Sequence, residues 1–153
     1  MENTKEFCRT HGYVETLMGR RCYFKDINDD DLNSKSKAER QCINSIIQGS
    51  AADLIKLAMI NVHSELIELS RKTNLIKFRA KRIYPGGGLY KRLDDVRLCM
   101  SIHDELIYEI PKEPEIICNI VGLIKETMEN NVLNLKVPLR VKVRCGDTWG
   151  DLV

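Results

Sequence analysis

Residues 36 to 53 read Ser36-Lys37-Ala38-Glu39-Arg40-Gln41-Cys42-Ile43-Asn44-Ser45-Ile46-Ile47-Gln48-Gly49-Ser50-Ala51-Ala52-Asp53. Ser36 and Glu39 stand at the S-x-x-E spacing of a capping box, in which the two side chains satisfy each other's backbone N–H groups at a helix start. Beyond it Ile43, Ile46, Ile47, Leu54, Leu57, Ala58, Val62 and Leu66 recur at three- and four-residue steps, which is helical periodicity. One long helix from Ser36 to about Leu69 is expected. Gly49 interrupts the pattern at a cost of about 1 kcal/mol against alanine, so it marks a bend or a close approach by another backbone.

Working outward, residues 25–35 are polar and rich in Asp and Asn and read as a loop. Before them, Tyr13 to Leu17 reads as a strand closed by Gly19. Downstream, residues 70–95 show no clear period, carry many cations and contain Pro85-Gly86-Gly87-Gly88, a turn signal. Val96, Leu98, Met100 and Ile102 then alternate with polar residues and Cys99, and Leu106 to Ile110 resumes a strand pattern after His103-Asp104-Glu105. Two strands joined so briefly form a hairpin. Pro114 suits a first helical turn. Ile116, Ile117, Ile120, Val121, Leu123, Ile124 and Met128 give an amphipathic helix to about Asn131, and Val137 to Val143 reads as a last strand. The order of elements predicts an α+β fold, an antiparallel sheet with a long helix and a second amphipathic helix packed on one face.

A chain of 153 residues, 43% apolar and 30% charged, has the composition of one globular domain. Its net charge of +2 decides little, but the stretch from Arg71 to Arg97 concentrates the cations. The six cysteines show no zinc-ligand spacing, and several lie in apolar runs, which suits reduced thiols and a reducing compartment. Residues 1–6 lack the apolar stretch of a signal peptide, and no run reaches the ~18 apolar residues of a membrane span.

Two groups of polar residues invite a functional reading. Asp104 and Glu105 are adjacent carboxylates at the tip of an apolar hairpin. Such a pair is most often a solvated turn. It is also what a hard divalent cation such as Mg²⁺ takes as oxygen ligands while keeping positions open for phosphates. Two such ions can stabilise the attacking and leaving oxygens of a phosphoryl displacement, but this needs at least one further Asp from another strand. Arg40, Asn44 and Gln48, at i, i+4 and i+8, lie along one helix face, and all three can donate hydrogen bonds. The duplex minor groove offers purine N3 and pyrimidine O2 acceptors at every base pair, so this row can test pair geometry without reading sequence. The plain alternative is a solvated helix face.

Together the motifs narrow the choice. Glu39 to Asp53 resembles the ERxxxNxxxQGSAAD signature of family A, DNA polymerase I-like DNA polymerases. Ser101-Ile102-His103-Asp104-Glu105-Leu106 resembles that family's HDE motif. Gly12-Tyr13-Val14-Glu15-Thr16 with Gly19-Arg20-Arg21 is similar to its GYVxTxxGRR segment, and Gly146-Asp147-Thr148-Trp149-Gly150 to its C-terminal GxxWG. The motifs occur in the family's order and cover the chain outside residues 70–95. The resemblance implies a C-terminal palm segment spanning residues 1–153, in which Asp104 holds a catalytic metal and Glu105 supports the metal site. His103 would contact the primer terminus. Arg40, Asn44 and Gln48 would contact the minor-groove side of the primer–template DNA. Arg20 and Arg21 would approach phosphate or the incoming dNTP.

The segment at about 70–95 resembles an insertion; eukaryotic repair enzymes of the theta and nu type resemble this chain better than bacterial members do, the theta type in carrying an insertion here, which implies the nucleus. Its Arg71, Lys72, Lys77, Arg79, Lys81, Arg82, Lys91 and Arg92 offer contacts to phosphates, with a solvated loop as the plain alternative. Other family motifs are absent, namely the DYSQIELR-like strand with the first catalytic Asp and the fingers helix; the thumb and any exonuclease or helicase domain are not found either. At Cys22 and Phe24 the family's usual Arg and Pro are replaced. The implied function is part of a DNA-directed DNA polymerase in replication or repair, its Mg²⁺ site completed by the remainder of the polymerase chain. A non-catalytic DNA-binding fragment and an inactive remnant stand as alternatives for the chain by itself.

Overall fold

A computed structural model describes residues 2–80, 95–130 and 135–152, with backbone only for 73–80. It contains helices α1 (Glu2–His11), α2 (Leu32–Ala80) and α3 (Pro114–Asn130), strands β1 (Tyr13–Glu15), β2 (Arg21–Tyr23), β3 (Arg97–Ile102) and β4 (Glu105–Glu109), and short 3₁₀ turns at Lys25–Asn28 and Trp149–Leu152. The mixed helix-and-strand class is as expected. The strands form two separate antiparallel ladders, β1 with β2 and β3 with β4, where the sequence suggested one sheet. The chain divides into two compact units, Met1–Lys56 and Leu57–Val153.

The first unit is organised around α1, the β1–β2 hairpin and the start of α2. No element was expected for residues 2–11, because Phe7 and Cys8 alone give too little apolar periodicity. The helix α1 ends where Gly12 takes φ +75° and its N–H bonds Cys8 O at 2.7 Å, the left-handed C-cap that glycine adopts without a Cβ penalty. Cys8, Val14, Ile27, Ala38 and Cys42 form the buried core, with Cys22, Phe24, Ile43 and Ile46 packed against it.

The long helix begins a turn earlier than the Ser36 capping box predicts. Asp31 caps it: its Oδ2 accepts from both N–H and Oγ of Ser34 at 2.9 Å, and its carbonyl accepts from Lys35 N–H. An aspartate cap satisfies the orphan donors of the first turn, so residues 25–35 hold a 3₁₀ turn and a helix start instead of a continuous loop. This frees Glu39 for other partners. At its far end α2 continues past Leu69 to Ala80. The rest of the basic segment, Lys81, Arg82, Pro85-Gly86-Gly87-Gly88, Lys91 and Arg92 included, lies outside the described residues.

In the second unit β3 and β4 pair from Arg97↔Glu109 to Ile102↔Glu105, leaving His103 and Asp104 as a two-residue loop. The register shifts between Leu98 and Met100, so Cys99 sits at a bulge, which bends a strand and sharpens its twist. The helix α3 starts at Pro114 as expected, with Ile117 N–H bonded to Glu113 O at 2.9 Å. It buries Ile116, Ile120, Ile124, Thr127 and Met128 along one face. On the part of α2 in this unit, Ala58 and Val62 are buried.

The expected last strand, Val137 to Val143, is not formed. Alternating residues give a segment the capacity to be a strand, but a strand exists through a ladder partner. Here Val141 N–H goes to a side chain, Glu129 Oε1 at 2.8 Å.

Candidate functional site

The polar row of α2 is displayed as the spacing requires. Arg40, Asn44 and Gln48 are all exposed. On the opposite side Ala38, Cys42, Ser50 and Asp53 are buried, so the orientation of the row is set by what the helix buries.

Two sets of contacts hold that buried side. At one end, Glu39 receives Arg9 Nε at 3.1 Å, with Nη2 bonded to the same oxygen, and Lys5 Nζ lies 3.3 Å from its other oxygen. The Arg9 guanidinium, with Lys5 beside it, holds the Glu39 carboxyl below the ordinary carboxylate range. At the other end, the β1–β2 turn sits on residues 49–53. Ser50 Oγ accepts Leu17 N–H at 2.9 Å, and Arg20 donates from Nε to Asp53 Oδ1 at 2.9 Å and from Nη2 to Gly49 O at 3.1 Å. The Thr16 hydroxyl and the Arg20 guanidinium hold Asp53 low as well. Gly49 explains itself here: a Cβ would stand 2.7 Å from Thr16 Cγ2 and 3.3 Å from Arg20 Nη2. The approach the sequence suggested is real, and side chains make it, not a backbone.

The two arginines expected near phosphate are thus placed differently. Arg20 has two of its donors committed to α2. Arg21 gives Nε to Glu15 Oε1 at 2.8 Å, and its Cζ lies 4.6 Å from the Tyr13 ring centroid. Exposed pairs of this kind contribute little to stability, so Arg21 can exchange partners more readily than Arg20.

At the β3–β4 tip, His103, Asp104 and Glu105 are all exposed. His103 has φ 53°, a left-handed conformation that non-glycine residues seldom adopt outside Asn, Asp and His and that costs about 1–3 kcal/mol where surroundings impose it. Among the described residues Asp104 and Glu105 have no ion-pair partner. Their oxygens fit a hard divalent cation as part of a ligand set. Among the described residues no group of three or more His, Cys, Asp or Glu could hold a metal ion.

Sequence reasoning missed Lys5, Arg9, Thr16, Ser50 and the role of Asp53. One signal was available. Asp53 falls in helical phase with Cys42 and Ile46, on the side that faces the core, and a carboxylate there needs a partner. No helix among the described residues is long and apolar enough to cross a membrane.

Three comparisons bear on these surfaces. The profile described as DNA polymerase family A matches residues 1–151. DNA polymerase theta of Drosophila melanogaster is 41% identical over 146 residues, covering 95% of this chain and 6% of that protein. DNA polymerase I of Bacillus caldotenax is 41% identical over 152 residues, covering 99% of this chain and 14% of that protein. Both relatives are 41% identical to this chain over nearly all of its length. The POL domain of Pol1 from M. smegmatis, solved in complex with DNA primer-template and dNTP, superposes with a TM-score of 0.77 at 30% identity, over 99% of this chain and 22% of that one. The chain spans between 6% and 14% of the length of these two curated relatives.

Proposed function

Since the chain belongs to DNA polymerase family A, we propose that it is a palm segment of a DNA-directed DNA polymerase, gripping primer–template DNA and contributing part of a two-metal site for nucleotidyl transfer in replication or repair. The observation that carries this reading is the row Arg40, Asn44 and Gln48, exposed on α2. Its donors reach minor-groove acceptors common to all base pairs, which is how a template-copying protein checks pair shape without sequence preference. His103 lies next to the acidic pair and can orient the primer terminus by hydrogen bonding. Asp104 and Glu105 offer carboxylate oxygens to divalent ions, for which Mg²⁺ is the natural choice beside phosphates. When bound, such ions neutralise charge developing on the transferred phosphoryl group. The chain's own part is positioning: it holds the 3′ end and the terminal pair in a reactive geometry.

Arg21, whose ion pair with Glu15 is exposed, is the better of the two arginines for contact with phosphate or dNTP, and Arg20 serves the fold. By resemblance to theta-type enzymes the setting is the nucleus. The chain by itself lacks the strand with the first catalytic Asp, so binding without turnover is the expected behaviour of residues 1–153 alone.

Primer extension by a polymerase containing this segment tests the reading. Asp104→Ala should lower extension by more than about 100-fold, since even outer-shell partners of a metal are worth 10–100-fold, while duplex affinity changes little. Undiminished extension in Asp104→Ala would remove the metal role. Extension by residues 1–153 alone would show that the site is complete without a further Asp.

A further inference from the structure

The exposed row of α2 lies between two attachment points on the first unit. Glu39, immediately before Arg40, is held by Lys5 and Arg9 of α1. Gly49, Ser50 and Asp53, immediately after Gln48, are held by Leu17 and Arg20 of the β1–β2 turn. Between them Cys42 is fully buried.

The arrangement has a purpose that stability alone does not require. From Arg40 to Gln48 the helix rises about 12 Å, so three donors spread over two turns must meet acceptors on a rigid duplex together. Each hydrogen bond tolerates a donor–acceptor range of only about 2.7–3.2 Å. A small roll or slide of α2 would carry one end of the row out of reach while the other stayed. The α2 residues at the centre of the first unit's core, Ala38 and Cys42, are small and interlock little with their neighbours. Ion pairs and hydrogen bonds aimed across the helix at both ends resist rolling directly. Gly49 belongs to the same device, because its missing Cβ lets Thr16 and Arg20 come close enough to engage Ser50 and Asp53.

We propose that Glu39 and Asp53, with their partners Arg9 and Arg20, are positioning residues that fix the rotation and axial setting of the Arg40–Asn44–Gln48 row, so that discrimination of a mismatched primer terminus depends on two clamps that do not touch the DNA. What the row contacts rests on the duplex-binding reading above; that the clamps set the row does not.

Two measurements on this chain test it. The first needs no DNA. Amide exchange from Arg40 to Gln48 should quicken in Asp53→Ala and in the milder Glu39→Gln, which retains an acceptor oxygen for Arg9, while α3 amides are unaffected. Unchanged exchange in the row, or equal acceleration in α3, overturns the proposal. The second compares affinity for a primer–template duplex with a matched or a mismatched 3′ pair. Clamp variants should lower the preference for the matched pair by roughly 2- to 10-fold, the scale of one weakened hydrogen bond. In a Gln48→Ala background Asp53→Ala should then cost little more, because the clamp acts through the row. Losses that simply add would mean the clamp supports the fold and not the row. If Arg40→Ala and Gln48→Ala leave duplex affinity unchanged, the DNA reading falls, and exchange alone decides whether the clamps set the helix.

Discussion

At the scale of single residues, the helix glycines separate intrinsic propensity from local fit. Both Gly49 and Gly122 lie inside helices. Alanine at either should gain about 1 kcal/mol of helix propensity. At Gly122 nothing lies within 4 Å of a new Cβ, so Gly122→Ala should realise that gain. At Gly49 the Cβ meets Thr16 Cγ2 at 2.7 Å, and Thr16 cannot swing away freely because it is buried and its Oγ1 accepts Arg20 N–H at 3.1 Å. Overpacking of this kind costs about 1–3 kcal/mol, which cancels or exceeds the propensity term. Thermal melts of the two variants should therefore move apart, Gly122→Ala upward and Gly49→Ala level or downward. A rise in both would mean that the turn is loosely docked. The resemblance to a conserved-looking motif could flag Gly49, but only the docked turn gives the reason.

At the scale of elements, legibility followed the length of the periodic signal. The helices α2 and α3 and the β3–β4 hairpin could be read because many residues repeat one pattern. On α3, Ile120 is fully buried in the middle of the apolar face, and Ile120→Ala should cost about 2–5 kcal/mol, visible as a lowered denaturant midpoint. A smaller loss would show that the face can collapse around the gap. The helix α1 was not legible, since two apolar residues in ten set no period. The start of α2 was misread because Ser36 and Glu39 satisfy a motif whose role Asp31 and Ser34 take instead. The strand at Val137 to Val143 failed for a different reason, as alternation describes a segment and a ladder describes a pair. The candidate site divides similarly. The row and the acidic tip are local in sequence and were visible. The clamps join residues 30 and 33 positions apart, which no local pattern encodes.

For the molecule as a whole, three carboxylates with lowered pKa tie the first unit together. Asp31 is held below the ordinary carboxylate range by bonds from Ser34, Glu39 by Arg9 and Lys5, and Asp53 by Thr16 and Arg20. A carboxylate with a depressed folded value contributes stability that is present above its unfolded value and lost as pH falls through the folded one. The ordinary values are 3.8 for Asp and 4.5 for Glu. Stability should hold from neutral pH down to about these values and fall below them. Residues 1–56 should loosen before the second unit, where among the described residues only Asp151 is a depressed carboxylate. Amide exchange across an acid titration would show the order, and Glu39→Gln should flatten the slope for the first unit. Equal loosening of both units would mean that these contacts do not govern acid stability.

The β3–β4 ladder also has a consequence for the chain in solution. Among the described residues each of its strands pairs only with the other, and Leu98 and Met100 stay 37% and 40% exposed. An open ladder edge presents unpaired backbone donors and acceptors, and a two-stranded hairpin alone is marginal in water. Such a surface accepts a strand from any neighbour with the right spacing. Raising the concentration of this chain should therefore favour self-association through that edge.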